Sequence, residues 1–448
     1  MNRLLLLLAL LLPGCGASEA AINAATPPAN TVTVRYDQPV TLGRTAVDFP
    51  YQVRYLVRDG NGQAVFGPVV FQPAPAHTLS GVPGHGVTLE VELLDATGQG
   101  RGEFTTQVDL EDGTHTVQDP GLVATESSDP TVYTFVTFGC NRVQQGDIQA
   151  SVPSTANAAQ LTQDFAELVQ LTPRPAFLIF TGDLVVNEMP GGQILEQQLI
   201  AWKQFYQASV LPGSGIVLVP MTGNHEVLVK NADGSETPNP DTLPVWLAQM
   251  GAFLRGNDGP TTAAPNLDGL TFDQSQFSYT FKDGDIAYVV LNTDTFIDAT
   301  TAGDVPLNWL QGQLNALNAD PTVNHIFLFG HKPVHSPDGE EDGIRELEEQ
   351  PFVDLLNGSP KVRAYLCAHA HLWTTFKLGN VPQVIAGNGG SQAEKKFRKK
   401  GYYGYTLVKR KRSGSFHVES YGRPIPDPYD SSDPQPASTR REKFSIDG

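Results

Sequence analysis

The 448-residue chain reads as a small all-β domain followed by a larger α/β domain, and two observations separate them. Up to about residue 125, apolar and polar residues alternate in short runs punctuated by turn signals. Beyond residue 130, apolar runs are continuous and are interleaved with stretches of helical period. At 40% hydrophobic and 17% charged residues, the chain is rich enough in apolar surface to bury more than one core.

The first element is not part of either domain. Met1-Asn2-Arg3 precedes an almost unbroken run of leucines to Leu12, then Pro13-Gly14-Cys15-Gly16. One charge followed by about ten apolar residues is the core of a signal peptide, shorter than the roughly 20 residues that span a bilayer. Leu12-Pro13-Gly14-Cys15 resembles the lipobox of bacterial lipoproteins, in which the Cys takes a lipid and becomes the mature N-terminus. Pro13 departs from the small residue usual there, so cleavage without a lipid is the other reading. The expectation is a signal peptide at 1–15 and a protein of the bacterial cell envelope, held to the membrane through a lipid on Cys15 on the periplasmic or cell-surface side. No later segment has about eighteen apolar residues in succession, the length a spanning helix needs.

Residues 16–30 are rich in Ala, Pro and Asn and form a tether. From 31 to 125, runs such as Thr31-Val32-Thr33-Val34-Arg35-Tyr36 and Val87-Thr88-Leu89-Glu90-Val91-Glu92-Leu93 predict an antiparallel sandwich of immunoglobulin or fibronectin type. Its histidines, His77, His85 and His115, are scattered and polar-flanked and read as surface residues. A linker at 126–130 precedes the second domain, 131–425. There, apolar strands at 133–138, 176–180, 216–219, 286–291, 325–329, 362–366 and 383–386 alternate with helical stretches at 158–171, 195–208, 307–318 and 344–356. Strands without alternation are buried on both faces, which predicts a largely parallel sheet system covered by helices. The polar segments 230–241 and 256–268 read as loops near a site mouth, and the Pro, Asp and Ser-rich tail, 426–448, as extended or disordered.

A formal charge of −18 argues against a nucleic-acid polymer as partner, since neutralising phosphates along a chain needs a basic face. The basic stretch Lys395, Lys396, Arg398, Lys399, Lys400 and 409–412 reads either as a solvated hairpin or as a rim that steers an anionic substrate.

Five short runs, each after an apolar strand, carry the chemistry: Gly139-Cys140-Asn141-Arg142, Gly182-Asp183, Gly223-Asn224-His225-Glu226, Gly330-His331 and His369-Ala370-His371. Side chains at the ends of separate buried strands meet at one sheet edge. A mixture of carboxylate, amide and imidazole donors there suits a transition metal and points to a metal-dependent hydrolase.

In order and spacing, these runs resemble the calcineurin-like metallophosphoesterase superfamily, most closely its purple-acid-phosphatase-like branch, over about 132–421. Leu291-Asn292-Thr293-Asp294, Trp309-Leu310 and Gly387-Asn388-Gly389-Gly390 add to the likeness. The resemblance implies a two-sheet sandwich flanked by helices, a phosphate monoester or diester as substrate, and two metal ions, with iron, zinc or manganese the candidates. It also implies roles: Asp183 bridges the metals, Asn224, His331 and His369 complete the second, and His371 binds the first. His225 contacts phosphate and helps the leaving oxygen depart, with Glu226 as an orienting partner.

The opening run departs from the family, where Asp-x-His supplies two ligands to the first metal. Arg142 has only donors and cannot ligate. Cys140 as a thiolate carries the charge of the missing Asp, and the PhoD-type alkaline phosphatases look similar in using a Cys there. A disulfide to Cys367 and an inert buried thiol are the other readings of Cys140. Arg142 is a candidate clamp for substrate phosphate or the partner of a nearby carboxylate. His335 is read as a residue of the mouth or an ordinary loop histidine, and His325 as structural. Three residues past Asp183, where purple acid phosphatases carry Tyr, stands Val186, so no tyrosinate colour is expected. The function read here is hydrolysis by a metal-bound hydroxide. The alternative is a degenerate phosphoesterase-fold lipoprotein that binds a ligand or another surface without turnover.

Overall fold

The computed structural model describes residues 30–36, 41–42, 45–46, 52–59, 64–71, 76–82, 87–94, 100–108, 114–119, 123–124, 131–142, 158–297, 302–337, 343–391, 401–425 and 435–446. The expected signal peptide, residues 16–29 of the tether, the linker, His85, Lys395 to Lys400 and 426–434 of the tail lie outside them. Two compact units divide the chain, Met1–Ser128 and Asp129–Gly448.

In the first unit the described residues other than Asp59 are strands: β1 (Asn30–Tyr36), β2 (Thr41–Leu42), β3 (Thr45–Ala46), β4 (Gln52–Arg58), β5 (Ala64–Phe71), β6 (Ala76–Val82), β7 (Val87–Leu94), β8 (Gly100–Val108), β9 (Thr114–Asp119) and β10 (Val123–Ala124). They form sheets of order β5-β4-β7-β8, β6-β1-β9 and β10-β2-β3. Val32, Val53, Tyr55, Val57, Leu79, Leu89 and Val91 make one core. His77 is a correction to its reading as a surface residue: it is buried, 2.6 Å from the Tyr55 hydroxyl and stacked on Phe71. Its ring packs as an aromatic once a hydroxyl meets its polar edge.

The second unit is built from β11 (Thr131–Phe138), α1 (Ala158–Leu168), β12 (Phe177–Phe180), α2 (Gln193–Ala208), β13 (Val217–Pro220), α3 (Asn224–Val227), β14 (Leu228–Lys230), β15 (Glu236–Pro238), α4 (Thr242–Met250), β16 (Tyr279–Asp283), β17 (Ile286–Val290), α5 (Leu307–Ala319), β18 (His325–Phe329), α6 (Glu346–Asn357), β19 (Val362–Cys367), β20 (Trp373–Leu378), β21 (Val381–Ala386), β22 (Tyr402–Lys411), β23 (Phe416–Pro424) and β24 (Thr439–Ile446). Two six-stranded sheets, β13-β12-β11-β22-β23-β24 and β16-β17-β18-β19-β21-β20, carry the unit.

The layers explain the unalternating strands. Phe135, Ile179 and Val219 of the first sheet meet Tyr288, Phe327 and Leu366 of the second in a shared core. On the first sheet's other face, Val136, Phe138 and Leu178 pack against Leu161, Phe165, Leu199 and Trp202 of α1 and α2. Val289, Ile326 and Leu328 of the second pack likewise against Leu310, Leu314, Phe352 and Leu356 of α5 and α6. Both sheets are therefore apolar on both faces, in a helix, sheet, sheet, helix sandwich.

The sheets are mixed rather than largely parallel. β11, β12 and β13 are parallel, as are β17, β18, β19 and β21. β16, β20 and the β22-β23-β24 meander run antiparallel to their neighbours. Tight hairpins make this order, as at Asp283-Gly284-Asp285, where Gly284 takes φ of 60°.

Of the tail read as extended or disordered, Thr439–Ile446 is extended and pairs with β23 as the sheet's edge strand. An arginine anchors it: fully buried Arg423 donates from Nη1 to Asp164 at 2.7 Å, from Nη2 to Glu167 at 2.8 Å and from Nε to the Pro436 carbonyl at 2.7 Å. Burial raises the Asp164 carboxyl to about 6 while Arg423 pulls it down, so loss of the guanidinium strands a buried acid. Arg423→Ala is expected to destabilise the second unit by about 3 to 5 kcal/mol. Trp202, Trp246, Trp309 and Trp373 all lie in that unit, so urea unfolding followed by tryptophan fluorescence isolates it, and an unchanged midpoint would rule out this role for Arg423.

Candidate metal centre

The carboxyl ends of β11, β12, β13, β18 and β19 open into loops at one edge, and each loop carries one of the five runs. Glycines make the convergence close. A Cβ on Gly223 would lie 2.2 Å from Asp183 Oδ1, and one on Gly182, whose φ is 87°, would lie 2.5 Å from His331 Nδ1. Among the described residues, the non-glycine residues with left-handed φ are Cys140, Asp183, Glu188 and His369. All four belong to this edge, where strained backbone is held by its surroundings.

Glu226 does the holding. Its Oε2 accepts the N–H groups of Gly223 at 2.7 Å and Asp183 at 3.0 Å, and its Oε1 those of Leu184 at 2.7 Å and Val185 at 3.2 Å. Sequence reasoning paired it with His225. The structure instead makes it the clamp between the Asp183 and Gly223 loops. Burial, followed by the charge of Asp183, raises its carboxyl to about 7 against the pull of those N–H groups.

His331 is the hub. Its Nδ1 is 2.7 Å from the Thr181 carbonyl and donates to it. Its Nε2 lies 3.1 Å from Asn224 Oδ1, 3.2 Å from Asp183 Oδ1 and 3.1 Å from His369 Nδ1. Ligands 2.0 to 2.2 Å from one ion are spaced about 3.0 to 3.5 Å from one another, and these separations match. Asn224 is turned into place by donating Nδ2 to Glu236 Oε1 at 2.9 Å. Burial opposes charge on His331, yet Asp183 raises its pKa. His369 moves the other way, well below the usual imidazole range, through burial and then the nearby His331 and Lys332. Asp183 is buried too, but His331, His225 and Arg142 hold it well below the carboxylate range.

Cys140 is buried and unbridged, as is Cys367, so the disulfide reading fails. Cys140 Sγ accepts the N–H of His369 at 3.1 Å. Cys140, Asp183 and His331 each place a donor atom within 4.8 Å of the other two, a triad able to hold a metal ion. Cys367 faces the Val384 carbonyl in the core.

His225 is fixed by its Nδ1, which donates to the Val186 carbonyl at 2.7 Å. Its Nε2 is 3.1 Å from Glu188 Oε1 and 3.9 Å from Asp183 Oδ2. Burial and then Arg142 lower its pKa to about 3, while burial raises that of Glu188. Arg142 reaches into the cluster, with Nε 3.3 Å from Asp183 Oδ2, Nη1 3.3 Å from His225 Nδ1 and Nη2 3.1 Å from His371 Nε2.

Sequence reasoning missed Glu188, Glu236 and Lys332. Lys332 is buried and pairs with Asp294 at 2.8 Å, and its position next to His331 was a readable signal. Glu188 sits in an aperiodic loop and Glu236 opens the three-residue strand β15 inside a polar segment that read as a loop, so neither gave one. His335 is exposed with its ring edge-on to Phe376, and His325 accepts from Arg363 at the other end of β18.

A family model for calcineurin-like phosphoesterases matches residues 143–372, just over half of the chain. The chain belongs to the calcineurin-like phosphoesterase family. That family uses metal ions, and the match begins immediately after Arg142, leaving the altered opening run outside it. No curated protein matches the chain. Similar solved structures include a dimetal phosphatase from Danio rerio, 11% identical, with 71% of this chain and 99% of that one covered and a TM-score of 0.44. PhoD is 12% identical, with coverage of 94% and 88% and a TM-score of 0.44. GAP50, the anchor in the inner membrane complex of Plasmodium, is 13% identical, with coverage of 69% and 89% and a TM-score of 0.39.

Two outcomes follow for metal affinity. Glu226→Gln sets an amide NH2 against backbone N–H donors, and a manganese or zinc titration is expected to read a 10- to 100-fold weaker site. Because His331 keeps its proton to a higher pH than a free imidazole, a metal must displace that proton. Affinity is therefore expected to fall between pH 8 and pH 6, and a flat profile would contradict the assignment.

Proposed function

We propose that the chain is an exported, metal-dependent hydrolase of phosphate monoesters or diesters, held at the bacterial cell envelope through a lipid on Cys15. The leucine run before Cys15 supports export. Among the described residues no helix is long and apolar enough to cross a membrane.

One observation carries the reading of the site. Asn224 Oδ1, Asp183 Oδ1 and His369 Nδ1 all lie 3.1 to 3.2 Å from His331 Nε2, and buried oxygen and imidazole atoms at that spacing are arranged as ligands around one metal ion. Oxygen and imidazole donors together suit iron, zinc or manganese. Bound there, such an ion supplies Lewis acidity toward a phosphoryl oxygen and toward water.

The chain's own residues complete the chemistry. Arg142 presents a permanent cation with N–H groups suited to a phosphate oxygen. The 3.1 Å approach of His225 Nε2 and Glu188 Oε1 requires a proton between them, and this pair is placed to pass it to the departing oxygen. The Val186 carbonyl occupies the other ring nitrogen and fixes the ring's direction. Water attacks phosphorus directly, in line with the leaving group, and no phosphoenzyme forms. Likeness to the purple-acid-phosphatase branch extends to the order of the ligand runs but not to colour, since Val186 stands where that branch has Tyr.

Hydrolysis of 4-nitrophenyl phosphate and of its bis ester, each with manganese, zinc and iron, tests the reading, and release from neither under any metal would refute it. Asp183→Asn is expected to lose metal and activity together. His225→Ala is expected to keep its metal and lose about 100-fold or more in kcat, and a normal rate would remove His225 from its role.

A further inference from the structure

We propose that the Arg142 guanidinium occupies the first of the two metal positions, so that the chain binds a single metal ion and uses a fixed organic cation as its neighbour. The inference rests on the metal reading of the site and deepens it.

The donors for that first position are Cys140 Sγ, Asp183 Oδ2 and His371 Nε2, and one guanidinium engages two of them. Nη2 lies 3.1 Å from His371 Nε2 and donates to it, because arginine has no acceptor. The only lone pair that an imidazole nitrogen offers a metal is then taken by an N–H group. Nε lies 3.3 Å from Asp183 Oδ2, an ion pair whose geometry falls short of a directed hydrogen bond, since both atoms remain without one. Asp183 thus keeps the bridging role, but between unlike cations: Oδ1 faces the His331 cluster and Oδ2 faces a guanidinium.

Two further observations hold Arg142 there. Its own carbonyl accepts the Ser391 hydroxyl at 2.7 Å, and the neighbouring Cys140 and Asn141 N–H groups donate to the Gly182 and Asp183 carbonyls, each at 3.1 Å. The backbone of the opening run is therefore stitched to the loop that carries the bridging carboxylate. A guanidinium stays protonated at any physiological pH, and its charge repels a second metal ion at the same oxygen. The sequence change that removes Asp and His ligands from the opening run also supplies the replacement charge.

The test is metal content of the full chain, loaded with manganese, desalted and measured by plasma mass spectrometry, together with its electron paramagnetic resonance spectrum. Wild type is expected to hold one ion per chain with the six-line signal of an isolated manganese. Arg142→Lys is expected to do the same, and Arg142→Ala to gain a second ion and an exchange-coupled spectrum. Two coupled ions in wild type would overturn the proposal, as would a single ion in a folded Arg142→Ala chain. No bound ion in wild type would overturn it through the underlying metal reading, which is a distinguishable failure. The wild-type count decides even where Arg142→Ala does not fold, and circular dichroism identifies that case.

Discussion

The carboxylate of Glu226 organises this edge of the molecule. Two oxygens accept four backbone N–H groups from two loops, and this seats Asp183 in a left-handed conformation that costs an ordinary residue about 1 to 3 kcal/mol. Gly223 and Gly182 allow the loops to close to the point where side chains from β12, β13 and β18 share one small volume. On the frame that clamp holds, Asp183 Oδ1 and His331 Nε2 pair at 3.2 Å.

Charge in the site is balanced by pairing rather than by solvent. Asp183 is buried against His331 and Arg142, and Lys332 is buried against Asp294. Because each removal leaves its partner desolvated and uncompensated, the network is sensitive to single substitutions. The same logic operates far from the site, where Arg423 ties helix α1 to the tail strand. His225 and Glu188 differ in kind: their pKa values move in opposite directions from ordinary ones, which leaves a single proton between a weak base and a weak acid.

Much of the architecture was legible because burial on both sheet faces writes itself into sequence as unbroken apolar runs. The strands at Phe177–Phe180, Ile286–Val290 and His325–Phe329, and the helix at Leu307–Ala319, follow from that pattern. The antiparallel edges were not read, although Asp283-Gly284 is a strong hairpin signal. That the extended tail pairs with β23 was not legible, because Arg423 anchors it and a buried arginine has the same letter as an exposed one. His77 escaped for the same reason, since the Tyr55 hydroxyl that satisfies it is 22 positions away.

By itself, the sequence determined which donors arrive at the edge: glycine-flanked Asp, Asn and His residues after buried strands must meet there, because the strands that carry them have nowhere else to end. Only the tertiary structure decided how they divide. Glu226 turned from a partner of His225 into the clamp of the Asp183 loop, Glu188 took its place beside His225, Cys140 stayed clear of Cys367, and Arg142 settled between Asp183 and His371. Such choices turn on distances of a few tenths of an ångström between loops far apart in the chain, and hydrogen-bond and ion-pair energies change over that range while residue spacing does not.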